Sequence, residues 1–240
     1  MKTKATRYLG LALFLFGALI ALACAGIIAW GDMEATLFDS AIVPEKTLNT
    51  LKCPVMMTKV ETATVSAAFA NPVDRPLYFS VRAHFSQGYV TWIREERTSF
   101  SLEPGERQRL EWAVSSEDAA FKNIVLVRVH AQTNGPLPYR SGACGIVVIP
   151  LSFLTGGLVF GILAAVSLVS MGGGIALWVF SQDPWGRQGV AVTRAMGTVA
   201  GILVIAVIVG LLGMWLIGMF MLFFTVLLGG IMIGFALTPK

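Results

Sequence analysis

The chain has 240 residues, of which 55% are hydrophobic and 13% are charged. Its mean hydropathy is +0.73. Because soluble domains carry about 25% charged residues, this composition excludes a purely soluble or a disordered protein. Residues 32–146 hold 12 of the 18 Lys and Arg residues and 13 of the 14 Asp and Glu residues. This block has no basic stripe with interleaved aromatic residues, so no nucleic-acid partner is expected.

Three stretches lack charged residues, namely 8–31, 147–182 and 195–239. Since about 20 apolar residues cross a bilayer, the first stretch predicts one span, over 8–30, in an N-terminal segment 1–31. Basic residues favour the cytoplasmic side, and Lys2, Lys4 and Arg7 precede this span. The N-terminus is therefore predicted in the cytoplasm, and residues 32–149 are predicted outside it.

A cleavable signal peptide is the alternative for the first stretch. Ala21-Leu22-Ala23 has the small-x-small pattern of a cleavage site, and Cys24 then stands where a lipoprotein carries its lipid. The apolar run continues over residues 26–30 instead of turning polar, which favours a retained helix.

The other two stretches predict the remaining spans. Pro150 ends a strand, and a helix over 151–180 then returns to the cytoplasm, where Trp178 marks its interfacial end. The last stretch would be about 67 Å long as one helix, against a hydrocarbon core of about 30 Å, so a hairpin fits better. Three spans with a bent final helix is the alternative. The predicted segments are a second transmembrane helix in 150–182, a cytoplasmic loop 183–194, and a hairpin with a cytoplasmic tail in 195–240, spanning at 195–213 and 217–237.

The predicted spans are rich in glycine and contain no Asp, Glu, Lys, Arg or His. Glycines four residues apart let helix backbones approach closely, so these pairs predict packing inside the bundle or at a subunit interface. The pairs are Gly157 with Gly161, Gly197 with Gly201, and Gly230 with Gly234. Proton relays and most ion pathways use ionisable residues, so a self-contained pump is not expected. The run 171–174 predicts a kink or a packing cleft.

The block 32–149 predicts an all-β domain. Residues of high strand propensity recur in short runs, and Pro, Gly and Asn turn signals separate them. The predicted strands are 62–70, 77–85, 90–100, 107–114, 123–131 and 145–149. Such short strands in about 100 residues predict a two-sheet sandwich.

The β block also resembles a known family of modules. A strand that ends in Ala70-Asn71-Pro72 is followed by the segment 75–81, and the segment 102–106 then leads into the segment 110–114. This pattern resembles the Ig-like sandwich modules of bacterial exported proteins, of the CARDB or NEW3 type, over residues 50–149. The resemblance implies an adhesive, spacing or docking domain without shared catalytic residues.

The cysteines and histidines allow few chemical sites. Cys53 and Cys144 lie at the two ends of the β block, so we expect a disulfide, which is typical of an oxidising compartment. A redox-active pair is the alternative, although the two lack C-x-x-C spacing. A copper site from Cys53, Met56, Met57, His84 and His130 is a further alternative without supporting spacing.

One segment of the β block could serve as a docking surface. It contains two aromatic residues and a dense charge cluster: Tyr89, Trp92, Arg94, Glu95, Glu96 and Arg97. Successive strand residues point to opposite faces, so Glu95 and Glu96 cannot act on one substrate. Trp112 and Phe100 complete a potential aromatic platform, or else belong to the core.

Together these observations predict a membrane bundle of four transmembrane helices with an Ig-like β-sandwich between the first two. No catalytic, cofactor or metal motif is recognised, so an enzyme is not expected. The predicted function is an accessory subunit of a membrane complex, whose partners are the lipid bilayer and other integral membrane subunits. One alternative is an envelope protein that binds an extracytoplasmic protein or glycan. The other is a lipid or small-molecule transporter component with a cleft near Ser167, Ser170 or Thr225.

Overall fold

The structure is a computed structural model that describes residues 4–39, 45–181 and 187–237. It divides into two compact units. The helical unit comprises Met1–Ala29 and Phe160–Lys240, and the β unit comprises Trp30–Val159. The helices are α1 Lys4–Leu37, α2 Gly156–Phe180, α3 Arg187–Leu211 and α4 Trp215–Leu237.

Three helices among the described residues are long and apolar enough to cross a membrane. These segments are Ala5–Leu37, Gly156–Phe180 and Gly189–Leu211. In α4 the corresponding apolar run, Trp215–Ile231, is shorter. The chain is therefore compatible with a helical membrane protein that carries a β unit, and the fourth span stays a prediction.

Two helices extend beyond the predicted membrane spans. Helix α1 continues six residues beyond residue 31, to Leu37, because its last turns pack on the β unit, where Ala35 is fully buried. Helix α3 begins at Arg187, so most of the predicted loop 183–194 is helical. Residues 183–186 of that loop and the tail 238–240 lie outside the described residues.

Helices α1 and α2 pack closely through small residues. A Cβ atom built on Gly174 would lie 2.5 Å from the Phe14 backbone nitrogen and 2.7 Å from the Gly10 carbonyl oxygen. One built on Gly17 would lie 2.6 Å from the Ser167 carbonyl oxygen, and the Ser167 hydroxyl donates a 2.8 Å hydrogen bond to the Gly17 carbonyl. Only glycine permits these backbones to come so close.

Trp178, which the sequence predicts at the cytoplasmic end of α2, packs within this bundle. Its side chain is fully buried beside Leu11, Phe14 and Met171. The Arg7 guanidinium lies 4.5 Å above the centre of its ring. Helices α3 and α4 form a hairpin, as expected, and Gly213 takes the left-handed conformation at its turn.

Among its described residues, the β unit contains eight strands in two sheets. The larger sheet has the order β1, β8, β7, β4, β5, and β2 pairs with the same edge of β8 as β1. The smaller sheet pairs β3 with β6. The strands are β1 Lys46–Thr47, β2 Met56–Thr58, β3 Ala63–Ala70, β4 Leu77–Gln87, β5 Tyr89–Leu102, β6 Arg107–Val114, β7 Ile124–Thr133 and β8 Arg140–Ile149.

The two sheets share one hydrophobic core. Every second residue of β4 and β7 points inward, and these residues meet Val65, Phe69 and Trp112 of the smaller sheet. At the centre, the ring of Phe79 stacks on Phe100 at 5.4 Å between ring centres, and both rings contact Phe69 edge-on. Alternation of apolar and polar residues along these strands creates this inner face.

The outer face of the larger sheet is also covered. Ala35 and Phe38, at the end of α1, pack against Leu126 on β7 and Ala143 on β8. Gly31 and Gly145 approach so closely that a Cβ on Gly145 would lie 2.3 Å from the Gly31 carbonyl oxygen. The end of α1 therefore buries polar side chains on this face that would otherwise meet solvent.

Candidate functional site

A cluster of titratable side chains lies on the covered outer face of the larger sheet. His84 on β4 is paired with Arg128 on β7, and Arg82 is paired with His130, so the two histidines are diagonal neighbours. Their ring centres lie 5.3 Å apart. His84 is 8% exposed and His130 is 2% exposed. Such burial of two imidazoles is uncommon without partners.

Asp39 completes this cluster from the segment that follows α1. Its Oδ2 atom lies 2.5 Å from His84 Nδ1 and 3.3 Å from His130 Nε2. The backbone of Asp39 is left-handed, with φ of 49°, a conformation that Asp tolerates better than most residues. One carboxylate oxygen thus faces both imidazoles. Asp39, His84 and His130 are called the Asp–His cluster below.

Arg128 fixes the segment that carries Asp39. Its Nη1 atom donates hydrogen bonds of 2.7 Å to the Thr36 carbonyl oxygen and 2.9 Å to the Phe38 carbonyl oxygen. Its Nε atom lies 3.4 Å from the Ser141 hydroxyl. These carbonyls belong to the end of α1, where helical backbone partners are missing. A buried guanidinium thereby holds the segment against the sheet.

Each histidine of the Asp–His cluster has a second polar neighbour on its outer nitrogen. The Tyr139 hydroxyl lies 2.5 Å from His130 Nδ1. His84 Nε2 lies 3.4 Å from Glu95 Oε1 without forming a hydrogen bond with it. Two hydrogen bonds from Arg97 hold the Glu95 carboxylate and lower its pKa to about 2. Glu95 therefore presents a negative charge to His84 near neutral pH.

Burial also shifts the pKa values of His130 and Tyr139. It lowers the pKa of His130, an effect that the hydrogen bond with Asp39 opposes and the nearby Arg128 charge strengthens. Burial raises the pKa of Tyr139. A neutral imidazole, a carboxylate and a second imidazole can hold a metal ion, or share protons within the cluster. These three are the described residues whose ligand atoms come together, all within 4.8 Å.

Sequence reasoning noted the two histidines but missed Asp39 and Tyr139. It placed His84 and His130 on different strands, which is correct, but could not know that β4 and β7 are neighbours. The signal that could have helped is the alternation in β7, which places Arg128 and His130 on the same face of a strand that is otherwise apolar.

The predicted docking residues divide between two faces of β5. Arg94 forms two hydrogen bonds with the Asp118 carboxylate, at 2.8 and 3.1 Å, and its guanidinium lies 4.3 Å above the Phe85 ring. Glu96 accepts a hydrogen bond from Arg94. Glu95 and Arg97 lie on the opposite face. Arg94 is therefore held by contacts within the β unit, while Arg97 is largely exposed.

The aromatic residues also separate. Trp112 is buried in the shared core, and Phe100 packs against this core. Tyr89 and Trp92 are exposed at 55% and 62%, with 5.3 Å between their ring centres. Phe121 joins them at 6.2 Å from Tyr89. Tyr89, Trp92 and Phe121 form an exposed aromatic patch that the sequence analysis identified only in part.

The close contacts between α1 and α2 are not made by the predicted glycine pairs. Gly10, Gly17 and Gly174 make them instead. A Cβ on Gly157, Gly161, Gly197 or Gly201 would meet no described atom of another element within 4 Å. The role of the pairs, which also include Gly230 with Gly234, in packing inside the bundle or at a subunit interface stays a prediction.

Cys53 and Cys144 form a disulfide in the structure, as the sequence predicts. This disulfide removes the copper site considered above, because the Cys53 sulfur is bonded to Cys144. Met57, another of its ligands, is fully buried in the shared core of the sheets. Of the residues considered for copper, His84 and His130 are the two whose rings lie close together.

Two of the three polar residues considered for a transporter cleft bond to backbone atoms. The Ser167 hydroxyl donates to the Gly17 carbonyl across α1 and α2. The Thr225 hydroxyl donates to the Met221 carbonyl of its own helix at 2.8 Å. Ser170 is buried in the helical unit.

In comparisons with known proteins, no family model and no curated protein matches the sequence of this chain. What can be said of its function therefore depends on its own residues.

Proposed function

We propose that the chain is a non-enzymatic accessory subunit of a multi-subunit bacterial membrane complex. In this proposal α1 to α4 all cross the plasma membrane, and both termini are cytoplasmic. The β unit is an Ig-like sandwich of the CARDB or NEW3 type in the extracytoplasmic space. The helices contact other integral membrane subunits, and the β unit docks on their outer parts.

The strand pairing supports an Ig-like assignment. A two-stranded sheet faces a larger sheet across one core, and the antiparallel strands β8, β7, β4 and β5 are consecutive in the larger sheet. The short strand β2 pairs with β8 in parallel. Sandwiches of this class have two antiparallel sheets of such short strands in about 100 residues.

The disulfide supports an extracytoplasmic β unit. Cytosolic thiols are kept reduced, whereas disulfides persist in oxidising compartments. Cys53 and Cys144 are 91 residues apart and close most of the β unit into one loop. Basic residues flank the apolar stretches at Arg7 and Arg194, which favours the cytoplasm for the helix ends remote from the β unit.

The observation that carries the proposal is the pair of open glycine faces on α2 and α3. Lipid and protein interiors are equally apolar, so helices associate in membranes where small residues allow close backbone contact. Gly157 with Gly161 and Gly197 with Gly201 provide such faces, and a Cβ on any of the four would meet no described atom within 4 Å. The apolar stretches also carry no Asp, Glu, Lys, Arg or His that would indicate transport. These helices are thus suited to packing against other subunits.

The proposal is tested by filling one open face. The full chain with a C-terminal tag is extracted in mild detergent, and its migration on a native gel is compared with that of the variant Gly197→Leu, Gly201→Leu. We expect a larger complex for the natural chain and a smaller species for the variant. Gly172→Leu is the matched control, because Gly172 is also open but belongs to none of the pairs. Migration of the natural chain alone would refute the proposal.

The exposed aromatic patch favours a second candidate, an envelope protein that binds a glycan or a surface protein. Aromatic rings commonly stack on sugars and anchor protein interfaces. Tyr89, Trp92 and Phe121 offer three adjacent exposed rings on the β unit. Binding of the full chain to cell-wall polysaccharide, abolished by Trp92→Ala, would establish this function. No binding would exclude the glycan as its ligand.

A further inference from the structure

The Asp–His cluster has the donor atoms of a metal site. Two imidazole nitrogens and one carboxylate oxygen converge from three separate segments, β4, β7 and the residue that follows α1. Asp39 Oδ2 faces His84 Nδ1 at 2.5 Å and His130 Nε2 at 3.3 Å. Ligands of tetrahedral zinc lie about 2.0–2.2 Å from the ion. An ion between these atoms therefore requires sub-ångström to ångström side-chain movements, not a new fold.

The outer nitrogens of the two histidines provide a second, independent observation. Metal-ligating histidines almost always use their other ring nitrogen to bond a carboxylate, a carbonyl or water, which fixes the ring. Here Glu95 lies next to His84 Nε2, and Tyr139 bonds His130 Nδ1. Both inner nitrogens are thereby directed at Asp39. His84 Nε2 is buried and makes no hydrogen bond, so its proton is available to Glu95 once the ring is drawn into place.

We propose that the Asp–His cluster binds one divalent transition-metal ion of the zinc class, with His84 Nδ1, His130 Nε2 and Asp39 Oδ2 as ligands. Imidazole and carboxylate donors suit such ions, whereas the soft Cys and Met donors are engaged in the disulfide and the core. Three protein ligands leave a fourth position for water or a partner's side chain. This site does not depend on the proposed accessory function.

The neighbouring charges set the expected affinity. Glu95 adds a negative charge beside His84. Arg128 adds a positive charge that acts on His130 and opposes a cation. Because the charge of Arg128 opposes a cation, we expect weaker binding than in closed structural zinc sites.

Metal binding would connect the end of α1 to the larger sheet. Asp39 follows α1, while both histidines belong to adjacent strands of the sheet. An ion that binds only the folded form stabilises it. Once the ion concentration exceeds the dissociation constant, this stabilisation grows with the logarithm of the ratio of the two. The thermal midpoint of the β unit should therefore rise with added Zn²⁺.

The test uses the full chain in detergent, purified through a tag without histidine and stripped with a chelator. Zn²⁺ binding is measured by equilibrium dialysis and by calorimetric titration. We expect one ion per chain and loss of binding in the variant His84→Asn, His130→Gln, whose side chains retain similar size. Glu111→Gln removes an exposed carboxylate of the smaller sheet and serves as the matched control, with unchanged binding.

Two further measurements keep the test decisive if the double variant does not fold. Tyr139→Phe retains all three ligands but removes the bond to His130 Nδ1, so Zn²⁺ affinity should fall about 10- to 100-fold. Co²⁺ bound to the natural chain should show the intense visible bands of four-coordinate geometry. The proposal is overturned if the natural chain binds no Zn²⁺ at micromolar concentration. It is also overturned if Tyr139→Phe binds with unchanged affinity and Co²⁺ gives only the weak bands of a hydrated ion.

Discussion

The β unit and the helical unit differ in how completely each covers its own surfaces. In the β unit both sheets contribute to one core, the end of α1 covers the outer face, and a disulfide joins the two ends of the domain. In the helical unit, large apolar side chains along α2 to α4 are exposed, and a Cβ on any glycine of the α2 and α3 pairs would meet no described atom within 4 Å. The β unit thus covers most of its own apolar side chains, whereas the helical unit leaves many of its apolar side chains exposed.

The largest expected effect is on the stability of the β unit. Replacing Cys53 and Cys144 by Ser should lower the free energy of unfolding of the β unit by about 2–5 kcal/mol, because the bridge constrains a long loop. Denaturant unfolding of the full chain in detergent, followed by near-ultraviolet circular dichroism, measures this change. Cys24→Ser, in the helical unit, is the control. Equal stability of the natural chain and the double variant would show that the β unit does not depend on its bridge.

The next effect concerns the contact between α1 and α2. Gly174→Val should destabilise the helical unit by about 1–3 kcal/mol, because the added carbons overlap the backbones of Gly10 and Phe14. Thermal loss of the helical circular dichroism signal in detergent measures it. Gly172→Val should change the midpoint little, since a Cβ there meets open space. Equal midpoints for the two variants would contradict the packing described.

In the chelator-treated protein, the buried imidazole of His130 should make the stability of the β unit depend on pH. Because burial lowers the pKa of His130, the unfolded chain binds a proton that the folded chain does not between the two pKa values. The stability of the β unit should therefore fall as the pH drops through the ordinary histidine range, about 6.5, and rise in the opposite direction. The free energy of unfolding, measured across this pH range, should depend less on pH in the variant His130→Gln than in the natural chain. An identical dependence in the variant would exclude His130 as the group responsible.

The smallest effect is expected at the aromatic patch. Trp92→Ala should change the free energy of unfolding by less than about 1 kcal/mol, since the ring is mostly exposed and its aromatic contact is with Tyr89. The same denaturant unfolding measures it. A loss as large as that for the disulfide would mean that Trp92 packs within the β unit instead of forming a surface.

The strands were predictable because their signal is local. Alternating residues between turn signals placed the strand at 107–114 without error and that at 62–70 within one residue of the observed Ala63–Ala70. The short strands β1 and β2 were missed because strands of two or three residues are too short to show a periodic pattern. The first five residues of β8, from Arg140, were missed because glycine and small residues dilute the pattern there.

The helix ends and the Asp–His cluster depend on contacts that hydropathy does not encode. Apolar composition marks where a bilayer can lie, but α1 continues to Leu37 because Ala35 and Phe38 pack on the sheet. The glycine pattern belongs to one helix at a time and cannot identify its partner. Asp39 meets His84 and His130 across 45 and 91 residues, and only the order of the strands brings them together.

The central claim is that other membrane subunits cover the open helix faces. Native mass spectrometry of the tagged full chain, released from its own membrane in mild detergent, tests this most directly. The account predicts a complex of fixed stoichiometry that contains one defined set of integral membrane proteins, and that is lost when Gly197 and Gly201 are both replaced by Leu. A monomer or a homo-oligomer of this chain, unaffected by that change, would contradict it.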